Sequence, residues 1–139
     1  YELEEIMSLS FISVLQEKLY EVLKQHELFR LMNIGVYFAV QQDAKYPFIL
    51  INILKSSNLS NASVERYEVD FELCIFVRGK GQETLLKIGN AITNLLKVEN
   101  LYSEHYHLIG INNKFSERGR EQDLMTMKLV INYKALLRV

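Results

Sequence analysis

The chain has 139 residues, of which 49% are hydrophobic and 24% charged, and its formal net charge is −1. That balance excludes a protein holding nucleic acid by bulk positive charge, because neutralising phosphates requires a basic surface. A single cysteine, Cys74, excludes an internal disulfide and fits a reducing compartment, and no apolar run approaches the roughly 18 residues of a membrane span. The length is that of one domain over residues 1–139, large enough to bury a core without metal or disulfide. The chain begins at Tyr1 with no signal-peptide pattern.

The first predicted element is a helix from about Ser8 to Gln25. Ile12, Leu15, Leu19, Val22 and Leu23 recur at helical spacing, Glu2, Glu4 and Glu5 suit the positive end of the helix dipole, and Lys18, Lys24 and His26 suit the other. Leu28, Phe29, Leu31 and Met32 are too apolar for a solvated loop and are expected as a turn tucked under a sheet. Ile34–Val40 reads as a first strand. After a polar break, Gln41–Lys45, Pro47 belongs at a strand start because it lacks a ladder donor. Phe48–Leu54 is nearly continuous in apolar residues and reads as a strand covered on both faces. Lys55–Ser63 reads as a polar loop. Its two sequons, Asn58-Leu59-Ser60 and Asn61-Ala62-Ser63, are read as chance.

Tyr67–Val77 is the clearest strand. Tyr67, Val69, Phe71, Leu73, Ile75 and Val77 alternate with Glu68, Asp70, Glu72, Cys74 and Phe76, the period of two expected when successive side chains point to opposite faces. Its extended length is roughly 36 Å. A turn at Arg78–Gly81 leads to an amphipathic helix through Leu85, Ile88, Ile92, Leu95 and Leu96 to about Lys97. Val98–Glu104 connects to a strand at His105–Asn113. Lys114–Asp123 is expected as a long charged hairpin loop, and Leu124–Leu136 as the last strand, with Met125, Met127, Leu129, Ile131 and Tyr133 on one face. The expected fold is therefore α+β: a mainly antiparallel sheet of about five strands with two helices on one face, in the order α-β-β-β-α-β-β. Glu68, Asp70 and Glu72 on one strand, with Lys128 and Lys134 on another, predict that these strands are neighbours, within a subunit or across a subunit boundary.

The chemical motifs are sparse. Gly79-Lys80-Gly81 precedes a helix but lacks the glycine spacing and the Lys-Ser/Thr of a phosphate-binding loop, so it reads as a tight turn. His105 and His107 are expected on one strand face, with no third ligand nearby in sequence, so no metal is expected. Cys74 has no activating neighbour and reads as a small hydrophobe. No nucleophile-elbow, zinc-protease or dinucleotide fingerprint is present, so no catalytic residue and no cofactor are assigned. Glu117, Arg118, Arg120 and Glu121 mix both charge signs and suit a solvated loop or a salt-bridging contact with another protein better than a nucleic-acid patch.

Several stretches together carry a family likeness: the strand entry Tyr46-Pro47-Phe48, the strand end Phe76-Val77-Arg78, and Gly79–Glu83 leading into Ile88-Gly89-Asn90-Ala91-Ile92 and Leu95-Leu96. They are followed by Ser116-Glu117-Arg118-Gly119-Arg120 and Met127-Lys128-Leu129-Val130-Ile131-Asn132-Tyr133. Over roughly residues 10–137 the layout resembles the tail-completion family of long-tailed bacteriophages and gene transfer agents, which includes tail terminators and tail-to-head joining proteins. The resemblance implies a non-enzymatic virion protein, assembled in the bacterial cytoplasm as a homo-hexameric ring at the head-proximal end of the tail. Its implied partners are further copies of itself, the tail tube protein, the head-tail connector and DNA passing through without sequence recognition; no membrane is involved. The expected subunit or partner interface comprises Glu68, Asp70, Glu72, Glu117, Arg118, Arg120, Lys128 and Lys134. Two other classes compete: a small enzyme or ligand-binding domain built on His105, His107 and nearby carboxylates, and an assembly adaptor or chaperone of a secretion apparatus.

Overall fold

The computed structural model describes residues 2–40, 42–79, 81–121 and 125–139. Gln41 of the polar break, Lys80 of the glycine turn, and Gln122–Leu124, where the last strand is expected to begin, lie outside the described residues. The elements are α1 (Glu2–Gln25), α2 (Glu27–Leu31), β1 (Gly35–Tyr37), β2 (Phe48–Asn58), β3 (Arg66–Arg78), α3 (Gly81–Leu95), a 3-10 turn at Val98–Asn100, β4 (His107–Arg120) and β5 (Thr126–Arg138). The five strands form one sheet in the order β1-β2-β3-β5-β4, antiparallel at every step except the short β1·β2 pair. The α+β reading and the mainly antiparallel sheet hold.

One face of the sheet is covered by helices. Phe11, Leu15, Leu19 and Leu23 recur every four residues on α1, and Leu85, Ile88 and Ile92 recur at spacings of three and four on α3. The α1 stripe lies over β1 and β2 and reaches β3 where Phe11 meets the Tyr67 ring, and the α3 stripe lies over β3 and β5. Both join one core with the odd-numbered residues of β3, from Tyr67 to Val77, and with Leu129, Ile131, Tyr133, Ala135 and Leu137 of β5. Burying such a row removes apolar area from water at roughly 25 cal/mol per Å². Gly89 brings α3 close to β5: a Cβ at that position would meet Leu129 Cδ2 at 2.6 Å. The turn ahead of α3 requires its glycines, since Gly79 and Gly81 have φ of 74° and 77°, a region that L side chains rarely adopt.

Five sequence expectations need correction. The apolar cluster 28–32 is a short helix, α2, that buries Phe29 but leaves Leu31 exposed. The strand expected at 34–40 keeps only Gly35–Tyr37, because β1 finds partners only at Phe48–Leu50; beyond them Phe38 stacks on Tyr20 and Val40 is exposed. Strand β2 is buried only over Phe48–Ile51 and continues through the expected loop to Asn58. Its outer half is polar because it runs past the helices while still pairing with β3. The turn itself is set by two asparagines. Asn58 Oδ1 accepts the Ser60 N–H, and Asn61 Oδ1 accepts those of Ser63 and Val64, all at 2.9 Å.

The fourth correction is the largest. The charged segment expected as a hairpin loop from Lys114 is strand as far as Arg120, so β4 is fourteen residues long. It pairs with β5 along its whole length, with irregularities at Ile109 and Lys114. Its charge reflects an edge position, where bulges and charged side chains are common. Finally, β4 starts at His107 and β5 at Thr126, so His105 and Met125 precede their strands.

Candidate interaction surface

The other face of the sheet has no helix on it. The even-numbered residues of β3 point there, and register extends each into a row across four strands. Asn52, Glu72, Asn132 and Phe115 form one row, Lys55, Asp70, Lys134 and Asn112 the next, and Ser57, Glu68, Leu136 and Gly110 the one after. β3 and β5 are neighbours, as the charge pattern predicts, and the neighbouring strands belong to the same chain.

The acidic residues find partners inside the subunit. Lys134 Nζ lies 3.1 Å from Glu68 Oε1, and Lys114 Nζ lies 3.6 Å from Asp70 Oδ2. The Asn52 side-chain amide donates to Glu72 Oε1 at 3.1 Å, and the Cys74 thiol lies 3.7 Å from the same oxygen. Burial, then the charge of Glu72, pushes the Cys74 thiol up to about 11. A thiol held protonated in this way is a poor nucleophile, as the sequence suggests.

Toward the other end the face becomes aromatic. Phe48 stacks on Phe76 with centroids 4.8 Å apart, and Tyr46 lies 5.2 Å from Phe48. Two cations cap this patch: the Arg78 guanidinium sits 4.2 Å from the Tyr46 ring centroid, and Lys128 Nζ lies 5.5 Å from that of Phe76. Arg78 Nε also donates to Thr126 Oγ1 at 3.1 Å, which accounts for the one buried polar residue of the described core.

The residues singled out from sequence therefore divide. Glu68, Asp70, Glu72, Lys128 and Lys134 share the helix-free face, and register places Glu117 beside Val130 on it. Arg118 and Arg120 are opposite Leu129 and Met127 on the helix side. Arg118 there borders a groove of about 200 Å³ between α3 and β4, walled by Asn90, Thr93, Asn113 and Ser116 and floored by Leu129 and Ile131. Sequence reasoning missed Lys114 and Asn52 as partners of the acidic row, because both were assigned without regard to the face they share with it.

No described group of three or more His, Cys, Asp or Glu side chains could hold a metal. His105 lies before β4 and His107 opens it, so the two do not share a strand face. A hollow of about 550 Å³ lies at the end of α1 between Lys24, Arg30, Asp43 and Lys45, and neither His105 nor His107 lines it. No helix among the described residues is long and apolar enough to cross a membrane.

The two edges of the sheet are unlike. At one side no strand among the described residues pairs with the outer edge of β4, where Asn112, Asn113, Lys114 and Ser116–Gly119 are exposed. At the other, β1 covers β2 only at Phe48–Leu50, so the outer edge of β2 is uncovered by β1 from Ile51 to Asn58.

The chain is similar in fold to part of a virion. A solved chain described as "Virion of native gene transfer agent (GTA) particle" superposes with a TM-score of 0.70 at 16% identity, over 86% of this chain and 91% of that one. The sequence matches no family model and no curated protein.

Proposed function

We propose that this protein is a structural virion component of the tail-completion type. In this reading it forms a ring, a homo-hexamer, at the head-proximal end of the tail of a phage-like particle, ends polymerisation of the tail tube, and offers the surface that the head-tail connector joins. DNA passes through the ring without being read. The observation that carries the proposal is the pair of unlike, open sheet edges, supported by the fold likeness to a gene transfer agent virion chain. A closed ring is built from heterologous contacts, in which one patch meets a different patch on the next copy. Three antiparallel steps separate β2 from β4, so the two edges run in opposite directions. A neighbouring copy in the same orientation would therefore bring its β2 edge alongside β4 as an antiparallel partner. Exposed Glu117 and Arg118 lie on that edge and belong to the proposed contact, whereas Glu68, Asp70 and Lys134 support the strand behind it.

Native mass spectrometry and negative-stain imaging of the purified chain, alone and with its tail tube protein, test the proposal. A ring of six copies, alone or on tube ends, is the expected result. A strict monomer under both conditions, with tubes growing to the same lengths with and without it, would sink the proposal.

A further inference from the structure

Below the acidic rows, at the end of the helix-free face, register brings three basic residues into one line. Arg66 of β3 is opposite Arg138 of β5, and Arg138 is opposite His107 of β4. Adjacent strands lie about 4.8 Å apart, so these side chains leave the sheet as near neighbours. Like charges directly opposite each other destabilise a sheet. No ion pair joins any of the three to a carboxylate among the described residues, and Arg66 Nε is buried there without a hydrogen-bond partner.

The nearest acids are engaged elsewhere. Glu68 is held by Lys134, and Glu65 Oε1 accepts the hydroxyl of Tyr67, whose ring belongs to the helix-side core. Beside the line, Gly110 carries no side chain, and a Cβ built there would meet nothing within 4 Å. The result is a row of two guanidiniums and an imidazole beside a strand position that carries no side chain.

We infer that Arg66, Arg138 and His107 form a binding site for one compact oxyanion, a carboxylate or a phosphate group. An arginine fork matches such a group in a bidentate manner, and the anion, met by the terminal guanidinium nitrogens, would relieve the repulsion along the row. The adjoining rows carry Glu68, Asp70 and Glu72, which would repel a continuous run of phosphates. A single oxyanion fits; a nucleic-acid track does not. This site does not depend on the ring proposal, because it is complete within one subunit.

The test is a thermal-shift titration of the whole chain with inorganic phosphate, with chloride added so that ionic strength stays constant. Phosphate should raise the melting temperature above the chloride control. The variant Arg66→Gln/Arg138→Gln should bind phosphate at least about tenfold more weakly, the loss expected on removing charge-assisted hydrogen bonds. It should also melt higher than the native chain when no phosphate is present. The exposed His107→Gln variant gives a second, smaller loss should the double variant fold poorly. An equal response in native and variant chains, or none above chloride, would overturn the inference and leave the row as a solvated guard of the sheet end. Retention of a short DNA duplex at the same ionic strength, abolished by the double variant, would overturn it in favour of a nucleic-acid backbone.

Discussion

Lys134 faces Asp70 across the β3–β5 ladder, yet its ammonium reaches diagonally to Glu68 Oε1 at 3.1 Å. Asp70 is met instead by Lys114, which reaches from β4 across the intervening strand to 3.6 Å. The two ion pairs thus cross three strands and tie the edge strand to the centre of the sheet. Both are partly exposed, so each contributes modestly, about 0.2–1 kcal/mol. A double-mutant cycle with Glu68→Ala and Lys134→Ala, read by chemical denaturation, should give a coupling in that range. The coupling should shrink when salt is raised from about 0.05 to about 0.5 M; a coupling unchanged by salt would contradict an electrostatic origin.

Reversing the acidic row should damage the fold before it damages any assembly. Asp70→Lys/Glu72→Lys places two new cations beside Lys114 and Lys134 and removes the acceptor of the Asn52 amide. The expected result is a melting temperature lowered by several degrees in the isolated subunit, measured by circular dichroism.

On β4 the expectation is the opposite. Glu117→Lys/Arg118→Glu changes exposed side chains on an edge strand, so the melting temperature should move little. Assembly should suffer, with ring formation or tube capping reduced in negative-stain counts. Normal rings from this variant would remove the β4 edge from the proposed contact.

Gly89 sets the distance between α3 and the sheet. Gly89→Val would drive a branched side chain into Leu129, whose Cδ2 lies 2.6 Å from the position a Cβ would take. The expected destabilisation is about 1–3 kcal/mol, readable as a lower denaturant midpoint at unchanged slope. Gly89→Ala should be milder, because the Leu129 methyl can move and alanine favours the helix.

Tyr133 stacks on Phe71 with ring centroids 5.3 Å apart, and its hydroxyl is buried without a hydrogen-bond partner. Tyr133→Phe should therefore be neutral or stabilising at neutral pH, because it removes an unsatisfied polar group and keeps the ring. Burial pushes Tyr133 and Tyr106 up to about 12, and burial followed by the Glu72 charge pushes Cys74 up to about 11. All three values lie above those of the unfolded chain, so their contribution is fully present below the unfolded values and is lost as pH rises through the folded ones. Stability should fall from about pH 9 toward pH 12, and Tyr133→Phe should flatten the upper part of that fall in a denaturation series.

The sequence made β3 legible because its alternation is uninterrupted and one face is wholly core. The helices were readable for the same reason: Leu15, Leu19 and Leu23, like Leu85, Ile88 and Ile92, repeat at the spacing their burial requires. What escaped were the strand segments beyond the helical layer. Lys55–Asn58 and Ser116–Arg120 are polar on both faces, and a polar run with no apolar alternation looks like a loop even when its ladder partner is the very next strand. The interface residues were grouped by charge alone, so Arg118 and Arg120 were joined to a row from which the pleat separates them. The cationic line of Arg66, Arg138 and His107 needs the register of three strands before it exists at all.

Among the described strands only β5 pairs with the outer half of β4, its described side chains from Asn112 to Gly119 are exposed, and the strand is irregular at two positions. Segments of that kind open first, with little of the protein's global stability protecting their amides. In the free subunit the amides from 112 to 120 should exchange with deuterium long before those of β3, even though each is hydrogen-bonded on one side or faces outward by design of the ladder. A neighbour docking on this edge would lengthen those exchange times, so assembly would complete the ordering of the strand as well as bury it.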